Sequence, residues 1–229
     1  MKLLLCSDFS GVGYRYVKRF FKKTKGLSCL FVGYAQEDSD ELESYGAVKF
    51  KEMGINVISL TKDYDFSDKI DIIFVRGGNT TRLIHYLREY NQFEKIKSMI
   101  EKQDILYIGS SAGAVLAGTD TAWTLPSEPY ECDLIELYGE NALKGFGWID
   151  KLVFVHCSKY RMCWRFEMQN DNDFFRTLDK ECYPAFLDDK KIYKRNEYLK
   201  INNNQAYFVC DGEEKMLTYN WNKLSIKII

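Results

Sequence analysis

Short apolar runs alternate with amphipathic stretches along the first two thirds of the chain. KLLLC, from Lys2, and LSCLFVG, from Leu27, read as β-strands, and Tyr14 to Phe21 between them reads as a helix. The stretch DELESYGAVKFKEMG sets Leu42, Tyr45, Val48 and Met53 at roughly helical spacing and stops at Gly54. INVISL and IDIIFV are nearly continuous in apolarity and rich in β-branched residues, as strands covered on both faces by helices are. Helical patterns follow through Leu83, Ile84 and Leu87, and again from Phe93 to Ile100. The strand ILYIG then bends at SSAGAVLAG into a further helix. This alternation predicts an α/β fold: a three-layer, doubly wound, mostly parallel sheet with helices on both sides.

From Pro126 the pattern loosens into polar and aromatic segments rich in turn residues. A short apolar run, Leu152 to Val155, leads directly into His156. Near the end, QAYFVC and KMLTYN flank Asp211-Gly212, which predicts a C-terminal β-hairpin, and KLSIKII adds a last strand. Asn202 to Asn204 reads as a surface turn. Internal repeats and low-complexity tracts are lacking, and no linker rich in proline, glycine and serine divides the sequence. The expected organisation is a single domain over residues 1–229.

Composition narrows the functions open to this fold. A net charge of −1 leaves no electrostatic footprint for nucleic acid or an anionic membrane. No apolar run approaches the ~18 residues of a membrane span, and the opening MKLLLC is shorter than a signal h-region and reads as the first strand. Seven cysteines, odd in number and with no C-x-x-C pair, suit free thiols in the cytoplasm and argue against a zinc site. Neither Gly11-Val12-Gly13 nor Gly77-Gly78-Asn79 completes the glycine fingerprint of a dinucleotide site. No metal or organic cofactor is expected. A homodimer through a sheet edge or a helix face is compatible with the pattern.

The densest chemistry lies in YIGSSAGAVLAG, residues 107–118. Gly109, Ser111 and Gly113 occupy the fixed positions of G-x-S-x-G, the nucleophile elbow, in which a tight strand-to-helix turn pushes a serine hydroxyl out of the sheet. The backbone N–H of Ala112 would face a developing oxyanion, and the helix would set its positive end beside the serine. The structural alternative is close packing at a junction, with Ser110 or Ser111 capping the helix. Of the two histidines, His85 follows core-facing Ile84 within a helix and reads as a surface or half-buried residue. His156 sits at a strand end and pairs better with Ser111 as a base. The Gly77-Gly78-Asn79 loop suits a second oxyanion donor, because glycine lets backbone approach a ligand closely; Asn79 also fits as the cap of the next helix.

Three segments, VRGGNTTRLIHYL, LYIGSSAGAVLAG and GFGWIDKLVFVH, resemble peptidase family S51, which includes dipeptidase E and cyanophycinase. They occur in the family's order, and the resemblance covers roughly residues 1–160. It implies a flavodoxin-like sheet related to class I glutamine amidotransferases, with serine in place of cysteine at the elbow. It further implies Ser111 as nucleophile, His156 as general base, and Gly78 and Ala112 as oxyanion-hole amides. The acidic member falls in the loop after the elbow helix, where Glu128 is the match and Asp133 the fallback; the commoner residue in the family is aspartate. Asn79 and, after the histidine, Arg161 and Arg165 are the implied substrate-binding residues, with the two arginines four apart and able to share a helix face. The implied activity is a serine peptidase acting on short peptides, with dipeptides carrying an acidic first residue as the expected substrates. The alternatives are an amidase or esterase of other small acyl substrates and a non-catalytic small-ligand-binding module on the same fold.

Overall fold

The computed structural model describes residues 1–6, 9, 13–37, 45–121, 124, 134–139, 141–150, 152–155, 197–202, 205–210, 213–216 and 226–228. Among these, the strands in chain order are β1 (Lys2–Cys6), β2 (Ser28–Val32), β3 (Asn56–Ser59), β4 (Ile72–Val75), β5 (Leu106–Ser110), β6 (Leu152–Phe154), β7 (Glu197–Asn202), β8 (Gln205–Cys210), β9 (Glu213–Met216) and β10 (Ile226–Ile228). The helices are α1 (Gly13–Phe20), α2 (Tyr45–Glu52), α3 (Thr80–Glu89), α4 (Phe93–Lys102), α5 (Ala112–Val115) and α6 (Leu134–Tyr138).

Six of the described strands form one sheet in the order β10-β1-β5-β4-β2-β3, parallel at every pairing. The elbow strand β5 lies inside it, between β1 and β4. Alternation of side chains along each strand splits the apolar residues into two cores. Leu3, Leu5, Leu30, Val32, Ile73, Val75 and Tyr107 face one core, which α3, α4 and α5 close with Leu83, Leu87, Ile96 and Val115. Leu4, Cys29, Phe31, Ile72, Phe74, Leu106 and Ile108 face the other, closed by Val17 of α1 and by Ala47 and Phe50 of α2. Three layers, helix on sheet on helix, are the result. The second core is aromatic at its centre: Phe50 meets Phe74 edge-on at 5.3 Å between centroids, and Phe9 stacks on Phe50 at 5.7 Å.

The C-terminal hairpin forms as β8 and β9, with Cys210 opposite Glu213; the turn residues Asp211 and Gly212 lie outside the described residues. It belongs to a larger unit than a hairpin. In a mixed four-stranded sheet ordered β6-β7-β8-β9, β7 pairs with β8 in antiparallel register and with β6 in parallel. The strand β7 is not signalled by the apolar pattern, because Glu197, Lys200 and Asn202 interrupt it. Asn202 ends β7 and pairs with Gln205, so only Asn203 and Asn204 are left to link the two strands. The last strand, β10, returns to the main sheet beside β1.

Two details depart from the sequence pattern. The helix expected to face the core through Val48 instead buries Ala47 and Phe50, both 0% exposed, while Val48 is 38% exposed. A bulky aromatic three residues after a small side chain buries more apolar area against the sheet than valine could, and this sets the helix's rotation. The strand β3, expected to be covered on both faces, is the sheet edge and is only half-buried. Its apolar content resembles that of the interior strands, so pattern alone does not distinguish an edge.

These faces set an expectation for stability. Phe50→Ala should lower the free energy of unfolding by about 3–5 kcal/mol, the usual cost of a cavity left by a buried phenyl ring. Val48→Ala should change it by no more than about 0.5 kcal/mol, as an exposed substitution does. Urea denaturation of the two variants beside the unmodified chain decides between this helix face and the one the spacing alone predicts.

Candidate active site

Ser111 stands where β5 ends and α5 begins, at the carboxyl edge of the sheet, the edge at which ligands bind in open α/β folds. Its backbone has φ 48° and ψ −107°, far from any region comfortable for a side chain with a Cβ. Such a conformation costs about 1–3 kcal/mol and persists only where the surroundings impose it. The imposing contacts can be named. A Cβ on Gly109 would lie 2.5 Å from the Gly113 carbonyl oxygen, and one on Gly113 would lie 2.4 Å from that of Val75. Strand, elbow and neighbouring strand therefore pack backbone on backbone, and both glycines are sterically required.

The elbow is also tied down by hydrogen bonds. Ser111 N–H donates to Cys6 O at 2.9 Å, joining the turn to the end of β1. The Tyr107 hydroxyl donates to Gly113 O at 2.7 Å from within the core, and burial holds the phenol neutral by raising its pKa well above the usual value. That carbonyl would otherwise accept from the amide of Ala117, but Ala117 N–H donates to Ala114 O instead. The helix α5 is accordingly a single turn of four residues. A helix this short has little macrodipole, so the electrostatic help expected from a long helix reduces to the first amides of one turn.

Neither serine caps this helix in the way the structural alternative supposes. Ser111 makes no side-chain cap bond, and Ser110 Oγ accepts from Phe9 N–H at 3.1 Å, pinning the segment after β1.

The Gly77-Gly78-Asn79 loop follows β4 and closes on the elbow. A Cβ on Gly77 would stand 2.8 Å from Ser111 Cβ and 3.6 Å from its Oγ, so the loop lies directly against the serine. Gly78 has φ +146°, and a Cβ there would strike Ala35 O at 2.2 Å; only glycine fits. The loop is held from its other side. Asn79 N–H donates to Ala35 O at 2.8 Å, and Gln36 Nε2 donates to Gly77 O at 3.1 Å. Asn79 caps α3, its Oδ1 accepting from Arg82 N–H at 2.9 Å and from Thr81 Oγ1 at 2.7 Å. Its side-chain oxygen is thus committed to fixing the loop.

The segment leading to His156 is positioned by the elbow helix. The backbone of residues 116–121 bonds to that of residues 143–149: Phe146 N–H to Leu116 O at 2.7 Å, Ile149 N–H to Ala117 O at 3.0 Å, and Thr121 N–H to Leu143 O at 2.9 Å. Phe146 and Trp148 stack at 4.3 Å, and Trp148 meets the ring of Tyr107 edge-on at 4.8 Å. The strand β6 then packs beside α5, with Val153 and Val155 buried in the core that holds Ala112, Ala114 and Val115. This strand, read from the sequence as the one that ends at His156, is the first strand of the second sheet. His156, Glu128, Asp133, Arg161 and Arg165 lie outside the described residues.

His85, the other histidine, is occupied elsewhere. Its Nε2 lies 3.1 Å from Glu89 Oε2 and its Nδ1 3.1 Å from the Tyr138 hydroxyl, with the ring half-buried between α3 and α6. Sequence reasoning found the elbow and the glycine loop but missed the two residues that brace them, Tyr107 and Gln36. A tyrosine within an otherwise aliphatic strand was the available signal, since a buried phenol needs a hydrogen-bond partner.

Tyr107→Phe leaves the ring in place and strips the Gly113 carbonyl of its donor. It should cost about 1–3 kcal/mol of stability, the price of a buried acceptor left without a partner. Gly113→Ala should be worse, because its methyl group meets backbone that cannot step aside. Thermal unfolding of the two variants reads both effects, and a Tyr107→Phe protein as stable as the parent would refute the bracing role.

The model of peptidase family S51 matches residues 3–217. Peptidase E of Haemophilus influenzae is 29% identical over 134 residues, covering 54% of this chain and 61% of that protein. A Drosophila melanogaster protein described as "Probable alpha-aspartyl dipeptidase" is 32% identical over 123 residues, covering 50% of this chain and 51% of its own. The chain therefore spans less than two thirds of the length of either relative. A solved structure from Listeria monocytogenes EGD-e superposes with a TM-score of 0.59 at 21% identity, covering 96% of this chain and 98% of that one. A peptidase from an acI-B1 Actinobacterium gives 0.57 at 16% identity, covering 94% and 93%. At such identities the superpositions speak for the fold, and the match over residues 3–217 speaks for descent: the chain belongs to peptidase family S51.

Proposed function

We propose that the protein is a serine dipeptidase whose nucleophile is Ser111 and whose preferred substrates carry an acidic first residue. The observation that carries this reading is the backbone of Ser111, held at φ 48° and ψ −107° at the sheet's carboxyl edge with a glycine loop against its side chain. A merely structural serine has no need of that strain. Family membership supports the reaction class, and the name of the Drosophila relative, an alpha-aspartyl dipeptidase, supports the small acidic substrate.

In the proposed reaction His156 takes the proton from Ser111 Oγ as the oxygen attacks the scissile carbonyl carbon. The backbone amides of Gly78 and Ala112 receive the negative charge that develops on the carbonyl oxygen. Ala112 is the first residue of α5, so its amide has no acceptor within that helix. His156 then delivers the proton to the departing amine, and water attacks the acyl-enzyme with the same histidine as base. Glu128 orients the imidazole and stabilises its positive charge, with Asp133 as the substitute if Glu128 does not reach. Asn79 contributes by capping α3 and so holding the Gly78 amide in place. Arg161 and Arg165 are offered as cations for the substrate's acidic group. We assign the reaction to the cytoplasm, a reducing compartment that suits the buried thiols of Cys6 and Cys29.

Hydrolysis of Asp-Leu, Asn-Leu and Ala-Leu, followed by mass spectrometry, tests the reading. The unmodified chain should cleave Asp-Leu fastest, and Ser111→Ala should lower turnover by at least about 10³-fold while the protein stays folded. Alanine keeps the Cβ and with it the backbone strain, so the variant should be about as stable as its parent. Retained turnover in Ser111→Ala would remove the serine from the chemistry, and a folded parent inert towards all three peptides would overturn the dipeptidase assignment.

A further inference from the structure

Arg76 occupies the position between β4 and the glycine loop, and it is the one residue there whose side chain the fold leaves unexplained. Its backbone is fixed: Arg76 N–H donates to Val32 O at 3.0 Å, which extends the register of β4 with β2 by one residue. The next residue, Gly77, lies against Ser111, and the one after it is Gly78. Arg76 is half-buried at this edge. Among the described residues its guanidinium has no ion pair and no hydrogen bond.

A contrast shows what a structural arginine looks like in this molecule. The Arg88 side chain donates from Nε to Ala142 O at 3.0 Å and from Nη2 to Asn141 O at 2.8 Å, and it lies 4.3 Å over the ring of Phe93. Arg88 ties α3 to residues 141–144, and its donors are used. Arg76 ties no described elements together. A guanidinium, with its planar fork of donors, is well matched to a carboxylate, which it can grip through two parallel bonds. Arg76 stands one residue before the loop that touches the nucleophile, at the carboxyl edge of the sheet where ligands bind in open α/β folds.

We propose that Arg76 is a specificity-determining residue that binds a carboxylate of the substrate. The proposal rests on the dipeptidase reading and extends it, since it assigns to the β4 edge a task otherwise given to Arg161 and Arg165. An α-aspartyl dipeptide carries two carboxylates, the side chain of its first residue and its C-terminus. Both present the same chemistry to the guanidinium, and the choice of peptides separates them.

The experiment compares the full chain with Arg76→Gln and Arg76→Lys on Asp-Leu, Asn-Leu and Asp-Leu amide. Loss of a charge-assisted pair predicts that Arg76→Gln lowers kcat/KM on Asp-Leu by about 10- to 100-fold, chiefly through KM, with Arg76→Lys recovering part of it. If the aspartyl side chain is the group bound, Asp-Leu and its amide lose alike and Asn-Leu loses much less. If the C-terminal carboxylate is bound, Asp-Leu and Asn-Leu lose alike and the amide loses much less. Equal kcat/KM for parent and Arg76→Gln on all three peptides would overturn the proposal. Should the parent cleave none of them, the dipeptidase reading fails and the carboxylate site is judged by succinate. Succinate should then raise the Tm of the parent and not of Arg76→Gln, and an equal response of the two proteins would end the proposal.

Discussion

Backbone packed against backbone at the end of the central strand is the contact on which the rest of the site depends. Gly109 accepts the carbonyl of Gly113 at a separation no side chain would allow, and Gly113 accepts that of Val75. With no side chains between them, the turn after β5 cannot relax outward, and Ser111 is left in a conformation that residues with a Cβ avoid. Strain of this kind needs restoring contacts on every side. The Cys6 carbonyl supplies one in front, the Tyr107 hydroxyl one behind, and Gly77 closes the third side against the serine's own Cβ. Each partner comes from a different strand of the parallel sheet, or from the loop leaving it. The sheet's order is thus what makes the elbow possible: β1 and β4 must flank β5 for these contacts to converge.

The same packing explains why the elbow helix is so short. A carbonyl near a helix start ordinarily accepts the amide four residues on, but the Gly113 carbonyl is held by a phenol from the strand below. The chain tightens after one turn, and the carbonyls of Leu116, Ala117 and Gly118 become acceptors for Phe146, Ile149 and Gly147. That ladder carries the later segment back across the elbow and delivers β6 to the side of α5. A longer helix would have used those carbonyls internally and left the later segment without its attachment.

Much of this was legible in the residues because strands with two buried faces and glycine-limited turns leave strong local signatures. KLLLC, IDIIFV and ILYIG are apolar on both faces because both cores need them, and G-x-S-x-G is spelled by sterics at Gly109 and Gly113. What escaped is set by contacts distant in sequence. The rotation of α2 follows the space above Phe31 and Phe74, which Phe50 fills and Val48 does not; nothing within the helix's own spacing announces that. The strand β7 exists through pairing with β8, and its alternating polar residues gave no apolar run to detect. The run Leu152 to Val155 is legible as a strand, but its partner is not, because β6 pairs with β7, more than forty residues on. Tyr107 reads as one more core residue until the target of its hydroxyl is known.

Arginines in this molecule differ by how much of their hydrogen-bonding capacity the fold consumes, and this difference bears on where substrate charge would be read. Arg88 spends its donors on main-chain carbonyls, so exchanging it would loosen the attachment of α3 to residues 141–144. Among the described residues Arg76 is held by its backbone, through a bond that the strand register would preserve whatever side chain stood there. A half-buried arginine whose side chain bonds nothing among the described residues, one position before the loop against a strained serine, is explained by a ligand's charge more readily than by stability. Under the proposed reaction the glycine loop would serve two functions at once: Gly78 would present an amide to the reacting carbonyl, and the residue leading into the loop would present a cation to the rest of the substrate.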